Sequence, residues 1–163
     1  MSFFVRKIEK AKWLQNDIIS GQVPSADAIT NCTKTNRNML SVWEIDKMED
    51  INLAILALLC RQEHLDSIDV VCFTSESISG KGINIEETDG KTTFELMKKK
   101  HRDLSKLDYD KLGEIAELII EEIKEKRDIR ISVGKQKEIL KKAIKDRLID
   151  QESISENILK KIA

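Results

Sequence analysis

The stretch that most restricts what this chain can fold into is LAILALLC, Leu53 to Cys60, which is apolar around the whole circumference of a helix. A helix without a polar face must be covered on most sides, which calls for a sheet beneath it and other helices around it. MLSVWEI at 39–45 precedes this helix and IDVVCFT at 68–74 follows it. Both runs are largely apolar on both faces, as strands are when they are covered from above and below. Strand, helix and strand in succession argue for a parallel pair with a right-handed crossover, while the loop length also permits an antiparallel return. Asp46 and Glu49, three residues apart before the helix, match the capping box that satisfies orphan amides at a helix start.

The flanking segments add elements to this unit. Ser2 to Ile8 reads as a first strand with Arg6 on its polar face, and Ile83 with Ile85 as a short strand inside the glycine-bearing region after Thr74. Ser25 is placed to cap a short helix ending at Cys32. Thr92 and Glu95 repeat the capping-box pattern ahead of Phe94, Leu96 and Met97. After Asp108, Leu112, Ile115, Ala116, Ile119, Ile120 and Ile123 recur at helical spacing. Ile129, Ile131 and Val133 alternate as a strand that Gly134 would end. Two amphipathic stripes close the chain, one from Ile139 to Leu148 and one from Ile154 to Ile162, with Asp150 as a cap between them. The expectation is an α+β fold in one domain over 1–163. A small central sheet is built around the strand-helix-strand unit at 39–74, and residues 1–90 are sheet-rich. The helix-rich half, 91–163, packs on that sheet.

Charge and cysteine usage narrow the functional classes. With 28 basic and 29 acidic residues the formal net charge is -1, so the chain lacks the global field of a dedicated nucleic-acid or anionic-membrane binder. Cys32, Cys60 and Cys72 are odd in number, far apart and partly inside apolar runs, which fits reduced thiols in a cytoplasmic protein. No apolar run reaches the length of a membrane span and the first residues lack a signal-peptide pattern, so no membrane contact is expected.

Several local patterns suggest chemistry and fail on spacing. SESISGKG follows a strand and contains Gly80-Lys81, but a phosphate loop needs glycine where Ser75 stands and a hydroxyl where Gly82 stands. No cofactor is therefore expected. HRDL at 101–104 matches the start of a kinase catalytic loop without the other kinase elements, and reads as the solvated end of a helix. Cys60 and His64 are four apart with no second pair of metal ligands. Trp13 and Trp43 read as core residues.

Three functional expectations follow. The leading one is a non-enzymatic interaction protein, an accessory or adaptor subunit with a protein partner, because the helical half offers several amphipathic faces. The second is a metal-dependent, nuclease-like enzyme using Glu44, Asp46 and Asp69 in or beside the central strands, with Lys47 near them. If the strands are parallel, Glu44 and Asp69 stand at opposite ends, which weighs against a shared ion. The third is nucleic-acid binding through the lysine-rich tail, Lys137, Lys141, Lys142 and Lys145 foremost, although acidic residues interrupt that patch.

Overall fold

The computed structural model describes residues 1–163 and shows an α+β fold, one six-stranded antiparallel sheet with helices on both faces. The strands are β1 (Phe3–Ile8), β2 (Leu40–Ile45), β3 (Ile68–Thr74), β4 (Asn84–Glu87), β5 (His101–Ser105) and β6 (Ile129–Ile131), in the spatial order β4-β5-β2-β1-β3-β6. The helices are α1 (Lys10–Trp13), α2 (Ala26–Cys32), α3 (Ile51–Leu59), α4 (Ser75–Gly80), α5 (Glu95–Lys98), α6 (Tyr109–Lys124), α7 (Val133–Lys145) and α8 (Glu156–Ile162).

β2 and β3 are not the hydrogen-bonded parallel pair expected from 39–74. β1 lies between them and runs antiparallel to both, with Phe4 opposite Glu44 on one side and Phe73 on the other. The two strands still point the same way, each antiparallel to β1, so α3 joins two parallel strands while the N-terminal strand fills the gap between them. β1 can occupy this central place because its two faces are both apolar. Phe4 and Ile8 enter one core, and Val5, with the partly buried Phe3, enters the other.

The side chains of each strand divide by parity between two cores. On one face Trp43, Ile45, Val70 and Cys72 meet α3, α7 and α8. On the other, Leu40, Val42, Val71 and Phe73 meet α2, α4 and α6. α3 is roofed by the terminal helices, which explains a helix with no polar stripe: Ala54, Ile55, Leu56, Ala57 and Leu59 are all buried. The C-terminal half is divided between the faces, α6 on one and α7 with α8 on the other, and it also supplies β5 and β6.

Several helix starts differ from the capping pattern. Ser25 caps α2 as expected, accepting from Ala28 N. Asp46 caps nothing; its carboxylate pairs with Lys100, and a 3-10 turn at Met48–Asp50 leads into α3. Thr92 is drawn away from α5 by tertiary structure, donating to Ala57 O of α3 while accepting from Phe94 N. Ser155, not Asp150, caps α8. Ser132 caps α7, so Val133 and Gly134 begin a helix where the alternation of 129–133 predicted continuing strand.

Candidate functional site

α6 begins at Tyr109 because Asp108 accepts from Lys111 N and closes the first turn. Its inner stripe, Ile115, Ile119 and Ile123, is buried against the sheet. One step around the helix, Leu112 and Ala116 face a groove of about 580 Å³ against Ile29 of α2. Tyr109 lines the groove and is 90% exposed. The rim is acidic, formed by Asp110, Glu114 and Glu117. Glu114 pairs with Lys81 at 2.6 Å, and that hydrogen bond and charge hold its carboxyl below the usual range. Asp110 and Glu117 have no ion-pair partner, so the groove carries uncompensated negative charge over an apolar floor. Such a surface suits a basic segment with an apolar anchor.

The strand carboxylates occupy separate places. Glu44 pairs with Arg102 at 2.7 Å, Asp46 with Lys100 at 2.9 Å and Asp69 with Arg130 at 3.1 Å. Glu44 is level with Phe4 of β1 and Asp69 with Ile8, an offset of about 13 Å along the strands at ~3.3 Å per residue, with β1 lying between them as well. Lys47 and Asp46 are exposed beyond the end of β2. No three His, Cys, Asp or Glu side chains anywhere are gathered in a metal-holding group.

The lysines of the tail lie along α7. Lys141 and Lys145 face a groove toward α8, shared with Lys160, while Lys142 lies on the α3 side with Asn52 and Leu53. Lys137 continues the Lys141–Lys145 line one turn earlier, at i, i+4 and i+8, and none of the three has an ion pair.

HRDL is a strand rather than a helix end. His101, Asp103 and Ser105 alternate on one face of β5 and all three are buried. Each bonds to a neighbouring strand or its extension rather than to one another. The His101 Nδ1 is 2.7 Å from Thr88 Oγ1, Ser41 Oγ donates to Asp103 at 3.0 Å, and Ser105 Oγ donates to Glu86 at 2.6 Å. The row therefore ties β4, β5 and β2 together and contains no nucleophile-base contact. The alternation H-D-S is a period-two signal in polar residues, which a search for apolar alternation misses.

SESISGKG forms α4, capped by Thr74, which places Gly80-Lys81 at its C-terminal end, where backbone carbonyls rather than amides are exposed. Cys32 and Cys72 are buried, Cys60 is half-buried, and none is disulfide-bonded. Burial, aided by Glu122, pushes the Cys72 thiol up to about 12, and burial likewise raises Cys60, so neither is an activated nucleophile. His64 is exposed. No helix is long and apolar enough to cross a membrane. Comparison with protein-family models, curated proteins and solved structures finds no match.

Proposed function

We propose that this chain is a non-enzymatic interaction module, an accessory subunit that docks on a partner protein through the groove between α2 and α6. The observation that carries the reading is Tyr109, 90% exposed beside an apolar floor and two unpaired carboxylates. Aromatic anchors of this kind concentrate binding energy at interfaces, and the rim charge selects the partner's sign. The partner surface is a basic amphipathic segment, whose aliphatic side chains cover Ile29, Leu112 and Ala116 while its cations meet Asp110 and Glu117.

The test compares wild type with Tyr109→Ala plus Glu117→Lys, both positions exposed, after showing that the two melt alike. Tagged chains are expressed in the source cells, and proteins recovered in stoichiometric amount are identified. A partner with a basic amphipathic segment should be retained by wild type and lost by the variant. Retention by both, or a wild-type chain that emerges alone, sinks the reading.

A second reading has one observation in its favour, the unpaired line of Lys137, Lys141 and Lys145 on α7. It predicts retention on duplex or single-stranded nucleic acid that falls steeply with salt and weakens in Lys141→Glu plus Lys145→Glu.

A further inference from the structure

β1 and β2, the central strands, part company halfway along. Their pairing stops at Val5 opposite Trp43, although β1 continues against β3 as far as Ile8 and β2 continues against β5 as far as Leu40. Extending the register would set Arg6 opposite Val42 and Lys7 opposite Ser41. Where the next rung would fall, the Ser41 carbonyl accepts from Arg6 Nη1 at 2.8 Å. The same guanidinium donates from Nε and Nη2 to Cys32 O at 3.2 and 3.0 Å.

The gap is a cleft of about 260 Å³ that opens between the two strands and reaches toward the end of α3. Arg6, Lys7 and Arg61 line it, and none of these three cations has a carboxylate within ion-pair distance. The one carboxylate on the lining, Glu9, is paired with Lys12 at 3.0 Å. Three of the five N–H groups of Arg6 are spent on carbonyls, which satisfies hydrogen bonds but leaves the charge uncompensated. Burial accordingly lowers the affinity of Arg6 for its proton. A half-buried guanidinium with two N–H groups not engaged by the three bonds to carbonyls, together with two further cations around one small gap, forms a complement to an oxyanion.

We infer that this cleft binds a small anion, the carboxylate or phosphate group of a low-molecular-weight ligand, with the half-buried Arg6 as the central contact and the exposed Lys7 and Arg61 supplying further positive charge along its lining. The volume is below the usual ~300–1,000 Å³ of pockets for larger ligands, which restricts the occupant to a compact molecule. Trp43 lines the same cleft, so occupancy should be reported by its fluorescence.

Inorganic phosphate and succinate, titrated separately at constant ionic strength set with potassium chloride, test the inference. Tryptophan fluorescence and the amide resonances of Lys7 and Ser41 are followed. Saturable binding of at least one of them is expected, and their relative affinities identify whether a phosphate or a carboxylate is preferred. Lys7→Gln plus Arg61→Gln, both exposed positions, should leave the melting temperature unchanged and weaken binding at least tenfold. Arg6→Lys keeps the charge, loses the planar fork, and should also weaken binding. If neither anion saturates below 10 mM, or if affinity is unchanged in the Lys7/Arg61 variant, the cleft is only a structural seam held by Arg6 and the inference is wrong.

Discussion

Trp43 and His101 meet edge to face across β2 and β5, with ring centroids 5.0 Å apart and planes at 76°. Gly90 passes over this pair so closely that a Cβ there would lie 2.4 Å from the indole and 3.0 Å from His101 Cβ. The indole is a rigid wall that cannot yield as a flexible side chain would.

Gly90→Ala should therefore destabilise the protein by about 1–3 kcal/mol, the usual cost of overpacking a filled core. Gly113 in α6 is the control, since a Cβ there meets nothing within 4 Å. Gly113→Ala should stabilise by about 0.5–1 kcal/mol through helix propensity. Urea melts of the two variants should move in opposite directions; a shared direction would contradict the packing at Gly90.

Protonation of His101 is disfavoured. Burial is the main cause and holds its pKa below 6.5; Asp103 opposes the shift, while Arg61 and Arg102 add to it. The folded state thus binds the proton less readily than the unfolded chain. The contribution to stability is complete above the unfolded pKa of about 6.5 and is lost as pH falls from there toward the folded pKa. Wild type should lose urea resistance between pH 7.5 and 5.5 more steeply than His101→Gln. Equal slopes would show that His101 carries none of the acid sensitivity.

Asp69 is buried on β3 and receives both contacts from one Arg130 nitrogen on β6, at 3.1 Å to each oxygen. Arg130 is well exposed, so its charge is partly screened, and the loss on its removal belongs to the carboxylate left behind. Arg130→Ala should cost about 1–3 kcal/mol, and the double change with Asp69→Asn should recover part of it. A neutral Arg130→Ala would mean that water serves Asp69 equally well.

Gln136 is fully buried at the start of α7, donating to Asp66 O at 2.6 Å and Ile131 O at 3.0 Å. It fastens the approach to β3 to the end of β6. Gln136→Leu keeps most of the volume and removes both hydrogen bonds together with the unpaired buried Oε1, with an expected net loss of about 1 kcal/mol. Hydrogen exchange should accelerate first at β6 and the N-terminal turn of α7; uniform acceleration across the sheet would argue against a local fastening.

Legibility in the sequence followed the source of each signal. The runs at 3–8, 40–45 and 68–74, and the stripe of α6, stand out because their apolar periodicity is written in consecutive residues. β5 gives no apolar signal because its buried face is His101, Asp103 and Ser105, whose partners Thr88, Ser41 and Glu86 lie on other strands or just beyond them. The capping signals were ambiguous for a related reason: Asp46 and Thr92 have the right types and spacing, but Lys100 and Ala57 O compete for them from distant segments. Of the candidate site, the apolar stripe of α6 was legible, whereas the groove needed α2 to be placed beside it.

What the sequence determined by itself is the inventory: an all-apolar helix that had to be roofed, strands covered on both faces, and amphipathic helices to cover them. Tertiary structure decided that β1 enters between β2 and β3, that the C-terminal helices divide between the two faces, and that Arg6 bonds to Ser41 O and Cys32 O where the β1–β2 pairing ends. Local periodicity fixes which side of an element is buried, but not what lies against it. Strand order, the end of the β1–β2 pairing and the uncompensated charges depend on pairings between residues tens of positions apart, where alternatives differ only in the energy of the assembled whole.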